Sequence, residues 1–173
     1  MAHVFAAFDE FAAAAADGLL RTAYLITADK GEAEDLVQEC FFTVAKHWPR
    51  VRGMHQPTAY ARRVLVNLAV RESKQQRRRQ AELNNDPIDI AADWVELDLI
   101  GSREELRNAL GQLTSRQRAV LVLRYFHDLS EEQTAHTLGC TVGTVKSTAS
   151  RSLAQLRLLI TPSTSERGAN QND

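Results

Sequence analysis

Lys146, Ser147, Ser150 and Arg151 could work on a polyanion. At 100° per residue they fall in an arc about 100–240° away from Val145. Val145, Ala149, Leu153 and Leu156 share the other side. One face of such a helix turns inward, and the other sets two cations among short hydroxyls. Short side chains permit close approach, while Lys and Arg reach phosphates or guanine edges. Thr144, at the start of the same helix, joins the set. This is the chemistry of a helix laid in the DNA major groove.

Two further sets lie upstream. The segment WPRVRGMHQP, Trp48 to Pro57, mixes aromatic, basic and small residues and contains Arg52. Behind it come Tyr60, Arg62, Arg63 and Asn67, then KQQRRR. Aromatic rings beside cations suit single-stranded nucleic acid, and Lys and Arg neutralise phosphates without reading sequence. Earlier still, Asp35, Gln38, Glu39 and Phe42 share one helical face. A Phe among acids reads as a docking patch, the alternative being that it covers a neighbouring helix. No paired carboxylates stand with a His at a useful spacing. His3, His47, His55, His127 and His136 are scattered, which argues against an enzyme. No CxxC or HExxH appears, so neither a metal nor another cofactor is expected.

The elements that must position these residues are punctuated. Leu129 to Leu156, LSEEQTAHTLGCTVGTVKSTASRSLAQL, reads as a helix-turn-helix. Ser130 with Gln133 is a capping box, Gly139 stops the first helix, and Thr141 caps the second. Ala135 allows the helices to cross closely, with Leu138 and Val145 packed between them. Thr114 with Gln117 is a second capping box opening a helix from Ser115 to Phe126. At the other end, Phe8, Phe11, Ala15, Leu19, Ala23 and Ile26 form one apolar stripe of a helix over Phe5–Ile26. Asp29-Lys30-Gly31 is expected to turn, and a helix over Glu32–Trp48 to end at Pro49. Its inward face is Ala33, Leu36, Val37, Cys40, Phe41, Val44 and Trp48. Val51 to Pro57 reads as a loop and Thr58 to Arg79 as a long helix. After it, NNDPIDIAADWVELD reads as a linker, followed by a helix from Arg103 to Leu113.

The expected fold is all-α: two small helical domains, 5–80 and 107–160, joined by a flexible acidic linker at 81–106. A polar tail occupies 161–173. Hydrophobic content of 44% supports packed cores, and scarce Gly and Pro (8 and 4) favour helices over sheet. Net charge is −1, too little for a generic nucleic-acid coat, but charge is segregated. Residues 46–79 and 107–160 are basic, and 1–45 and 80–106 acidic, which gives two electropositive surfaces on one chain. No apolar run approaches the roughly 20 residues of a membrane span, and the N-terminus lacks a basic n-region. Isolated Cys40 and Cys140 fit buried free thiols in a reducing cytoplasm.

In order and spacing these motifs resemble bacterial RNA polymerase sigma factors of the extracytoplasmic-function type, over roughly residues 5–160. Ala33-Glu34-Asp35-Leu36-Val37-Gln38-Glu39-Cys40-Phe41 resembles the acidic helix of sigma region 2. Tyr60-Ala61-Arg62-Arg63-Val64-Leu65-Val66-Asn67 resembles the end of that region. Leu113 to Arg118, with Leu129 to Leu156 including Gly143-Thr144-Val145-Lys146-Ser147, resembles region 4. The resemblance implies a cytoplasmic, non-enzymatic initiation factor that binds core RNA polymerase and promoter DNA, with an anti-sigma factor as a further partner. Asp35, Gln38, Glu39 and Phe42 would dock on polymerase. Arg52, Tyr60, Arg63 and Asn67 would hold a melted −10 element. Thr144, Lys146, Ser147, Ser150 and Arg151 would read a −35 element. Tyr60 stands where many relatives have Trp, and Thr148 and Ser150 where larger side chains are common. The competing reading is an ordinary helix-turn-helix regulator that binds duplex DNA as a dimer, which needs neither the acidic face nor the basic turn.

Overall fold

The computed structural model describes residues 2–80 and 108–160. The expected acidic linker, the polar tail, the start of the helix expected from Arg103 and the side chains of the basic run at 77–79 lie outside the described residues. Every regular element among the described residues is helical. They are α1 (Ala2–Thr27), α2 (Lys30–Lys46), α3 (Trp48–Val51) and α4 (Pro57–Gln80), then a helical turn at 108–111. After it come α5 (Ser115–Leu121), α6 (Glu131–Leu138) and α7 (Val142–Ile160).

In the first group, α1, α2 and α4 pack against one another. Leu19, Ala23 and Ile26 of α1 are buried with Leu36, Cys40 and Val44 of α2 and Ala61, Leu65 and Ala69 of α4. Trp48 lies under Phe8 and Phe11, with ring centroids 5.4 and 5.0 Å away. Two boundaries differ from expectation. The turn before α2 is made at Ala28 (φ 63°), not Gly31, and Asp29 is already the cap, accepting from the Glu32 amide at 2.7 Å. Pro49 does not end α2, which stops at Lys46. It sits in the first turn of α3, where its missing N–H costs nothing.

In the second group the punctuation is as expected. Thr114 with Gln117 and Ser130 with Gln133 form reciprocal capping boxes. Gly139 ends α6 at φ 60°, ψ 42°, and Thr141 Oγ1 accepts from the Thr144 amide at 3.1 Å. The helix expected to run to Phe126 instead passes into a π turn over Val122–Phe126. His127 N donates to Val122 O (3.0 Å) there, and the Arg124 guanidinium reaches Leu129 O.

The two groups also pack against each other. Their buried residues form one cluster, from Leu19, Leu36 and Leu65 on one side to Val120, Leu123 and Val145 on the other. Arg118 of α5, only 6% exposed, stitches the seam. Its Nε donates to Ile26 O (2.5 Å) and its Nη2 to Thr27 O (3.1 Å), at the end of α1. Its Nη1 donates to Leu110 O (3.0 Å) and Leu113 O (2.7 Å), and Nη2 also to Ser115 Oγ (3.2 Å). All five guanidinium donors are therefore placed, and two of the carbonyls that α1 leaves open at its C-terminus are satisfied by a cation, the charge that end favours.

This architecture makes specific demands on stability. Gly139→Ala should cost about 1 kcal/mol, all of it from the left-handed backbone, because a Cβ there meets nothing within 4 Å. Gly143→Ala, inside α7 with ordinary φ, should be neutral or stabilising by up to about 1 kcal/mol. Urea unfolding midpoints of the two variants should move in opposite directions or differ by this margin. Arg118→Met should lose about 3 kcal/mol or more by stranding buried acceptors. Arg118→Lys should recover little of it, since an ammonium cannot span both helix ends.

Candidate nucleic-acid and docking interfaces

The inward stripe of α2 buries Ala33, Leu36, Val37, Cys40 and Val44. Its period leaves Asp35, Gln38, Glu39 and Phe42 in solvent on the other side. Phe42 is 62% exposed, so it does not cover a neighbouring helix. It is met instead by Lys46, whose Nζ lies 4.3 Å above the ring. That cation covers part of the ring and leaves the rest of an apolar side chain exposed near Asp35 and Glu39.

The second set is built on α3 and α4. Arg52 caps α3 and is exposed. Tyr60, Arg63 and Asn67, spaced three and four residues apart on α4, share a face. Tyr60 is half-buried against the core and the other two are exposed. Arg63 Nη1 donates to His136 Nε2 of α6 at 3.0 Å. Arg62, one residue before it, is half-buried and its cation is disfavoured by desolvation. It faces His127, whose pKa is pushed down to about 4, first by burial, then by the Arg62 charge, with Asp128 opposing. The ring's Nε2 lies 2.9 Å from Thr22 Oγ1. Thr22 gives its own proton to Gly18 O (2.7 Å), so the imidazole Nε2–H donates to Thr22.

The third set is on α7. Val145, Ala149 and Ser152 turn inward, and Lys146, Ser147, Ser150 and Arg151 face solvent. Thr144 is half-buried, its hydroxyl 2.9 Å from that of Thr141, so it tightens the helix start as much as it faces outward. Lys146 Nζ lies 3.4 Å from Glu131, an exposed pair worth at most about 1 kcal/mol that a phosphate can displace. Arg151 Nε donates to Ser147 O (3.1 Å), which lays the guanidinium along the helix surface.

The structure thus keeps the three sets apart, on α2, on α3–α4 and on α7. Sequence reasoning missed the residues that join the two helical groups: Arg118 and His127, which bond to α1, and His136, which bonds to Arg63 of the second set. The only local signal was a cation, Arg118, directly before the apolar run Ala119-Val120-Leu121.

Comparison with known proteins agrees with this arrangement. Residues 12–79 match the family model for sigma-70 region 2, and residues 103–156 that for sigma-70 region 4. The chain is 34% identical over 153 residues to an RNA polymerase sigma-E factor of Streptomyces coelicolor, covering 87% of this chain and 84% of that protein. It is 32% identical over 160 residues to the extracytoplasmic-function sigma factor SigL of Mycobacterium tuberculosis, covering 90% and 87%. A solved structure of the sigma factor RpoE, in complex with the anti-sigma factor NepR from Bartonella quintana, superposes with a TM-score of 0.66 at 26% identity. That match covers 90% of this chain and 98% of that one. Two family regions in order, and relatives alike over nearly their whole length, place the chain: it belongs to the sigma-70 family of RNA polymerase sigma factors, in the extracytoplasmic-function branch, which bind core polymerase and direct initiation at promoters.

Proposed function

We propose that the three exposed sets divide that work residue by residue. Asp35, Gln38, Glu39 and Phe42 dock the chain on core polymerase. Arg52, Tyr60, Arg63 and Asn67 hold the melted −10 element, Tyr60 by stacking and the arginines on phosphate. Thr144, Lys146, Ser147, Ser150 and Arg151 meet the −35 element in the major groove. Residues 5–80 and 107–160 are the two functional domains. The chain carries out no covalent chemistry; binding free energy opens the DNA, in the cytoplasm where polymerase works. An anti-sigma factor is a further partner by analogy with the complex of its structural neighbour.

The observation that carries this reading is Phe42 standing in solvent between Asp35, Gln38 and Glu39. A duplex-binding dimeric regulator has no use for that face. Pull-down with core polymerase should retain the wild-type chain and lose Asp35→Arg/Phe42→Ala; retention of the double variant would remove this face from the interface. On a promoter fragment with polymerase, Lys146→Ala and Arg151→Ala should each cost about 1–3 kcal/mol if they read bases. A uniform loss across promoters with a shallower salt dependence would instead assign them to phosphates. Among the −35 residues Thr144→Ala should act partly through stability, since its hydroxyl meets the Thr141 cap.

A further inference from the structure

Helix α7 carries no acid of its own: Val142–Ile160 contains neither Asp nor Glu. Its two outward-facing cations, Lys146 and Arg151, are nevertheless held differently. Arg151 Nε donates to Ser147 O within the same helix, at 3.1 Å. Lys146 is met from another element, by Glu131 of α6, whose Oε2 lies 3.4 Å from Nζ. Glu132 sets a second carboxylate in the field of the same ammonium. Its pKa is lowered first by its own backbone N–H and by Ser130 Oγ, which donates to Oε2 at 2.8 Å, then by Lys146 and Arg124. Both acids stand in the first turn of α6, an end that favours negative charge. Glu131 also bears directly on Lys146, one of the residues proposed to meet the −35 element.

We propose that Glu131, with Glu132 beside it, is a specificity-determining residue of −35 recognition: it subtracts phosphate affinity from Lys146 and aims the ammonium at base edges. A carboxylate next to a DNA-reading lysine acts in two ways. It repels phosphate, so the ammonium gains less by sliding onto the backbone of any duplex, whatever its sequence. It also holds the side chain in one place, so less rotamer freedom is lost on docking. An ammonium has three donors, so one stays on Glu131 while another meets an acceptor on a neutral base edge. Discrimination is a difference of affinities, and weakening the unspecific contact raises it as surely as strengthening the specific one.

The inference rests on the −35 role proposed for Lys146. Its size follows from exposure. The Lys146 and Glu131 side chains are 62% and 32% exposed, so the effect is that of a surface pair, about fivefold at most. Glu131→Gln removes the charge and keeps the length of the side chain. Affinity for duplex that lacks a matching −35 element should then rise about three- to fivefold. Affinity for the matched element should change little, so discrimination falls by the same factor. The salt dependence of binding should steepen by up to about one unit as Lys146 takes up a phosphate. A lost helix-end interaction in α6 has a different signature: it weakens matched and unmatched DNA alike, and does so with or without Lys146.

The test uses holoenzyme assembled from the full chain and core polymerase. The probe is a promoter fragment that wild type transcribes, drawn from a genomic library, beside copies with single base pairs of its −35 element substituted. Binding is measured across a salt series for wild type, Glu131→Gln, Lys146→Ala and the double variant. Glu131→Gln should bind the substituted copies more tightly, with lower discrimination and a steeper salt slope. In the Lys146→Ala background the same change should alter neither discrimination nor slope. Unchanged discrimination and slope in Glu131→Gln would overturn the inference. So would an effect of equal size without Lys146, because it would then belong to the stability of α6. Should Lys146→Ala itself leave discrimination intact, the −35 assignment of Lys146 falls and takes this inference with it. Should Lys146→Ala relax discrimination while Glu131→Gln does not, the role of Glu131 fails and the −35 assignment stands.

Discussion

The arrangement of this chain depends on how one buried guanidinium is satisfied. Arg118 donates to the last carbonyls of α1 and to those of Leu110 and Leu113, so one planar group closes helix ends from both halves of the molecule. Its burial is tolerable because every donor has an acceptor at 2.5–3.2 Å. The α1 terminus in turn fixes Asp29, whose side chain starts α2, and α2 carries the docking face. The direction in which Phe42 points and the position of α5 are thus tied to the same few atoms.

Much of the fold was legible because its signals are local. Ser130 with Gln133 and Thr114 with Gln117 bond within four residues, and Gly139 needs only its own backbone. The inward stripe of α2 comes from period alone. What escaped was the seam, since its bonds join residues far apart in sequence: 92 positions for Arg118 and Ile26, 105 for His127 and Thr22. No periodicity encodes such a pairing. Scattered histidines look idle in a sequence until the fold sets two of them against an arginine pair. The turn at Ala28 was misplaced for a related reason, since Gly31 is the stronger turn former but Asp29 had already begun a helix.

The site residues divide along the same line. Those set by helix face, such as Glu39, Phe42, Ser147 and Ser150, are exposed as the spacing implies. Those whose state depends on a neighbour differ: Arg63 is engaged by His136, Lys146 by Glu131 and Thr144 by Thr141. Cys40 belongs with the core rather than with any site. Its thiol donates to Ala61 O at 3.3 Å, and burial pushes it up to about 12, so it behaves as a small apolar residue between α2 and α4.

The π turn at Val122–Phe126 looks like a detail of helix ending, yet it sets angular phase. A π turn is what an α-helix becomes when one residue is inserted and the hydrogen bonds re-form around it. Each residue added to or taken from a helix rotates the chain beyond it by about 100°. Here the widened turn leaves Tyr125 and Phe126 exposed while His127 reaches α1 and Leu129 N still finds Leu123 O at 3.0 Å. In descent, a single-codon gain or loss at this point is therefore a gear change. It leaves each helix of the DNA-reading unit intact and alters the bearing at which that unit is carried.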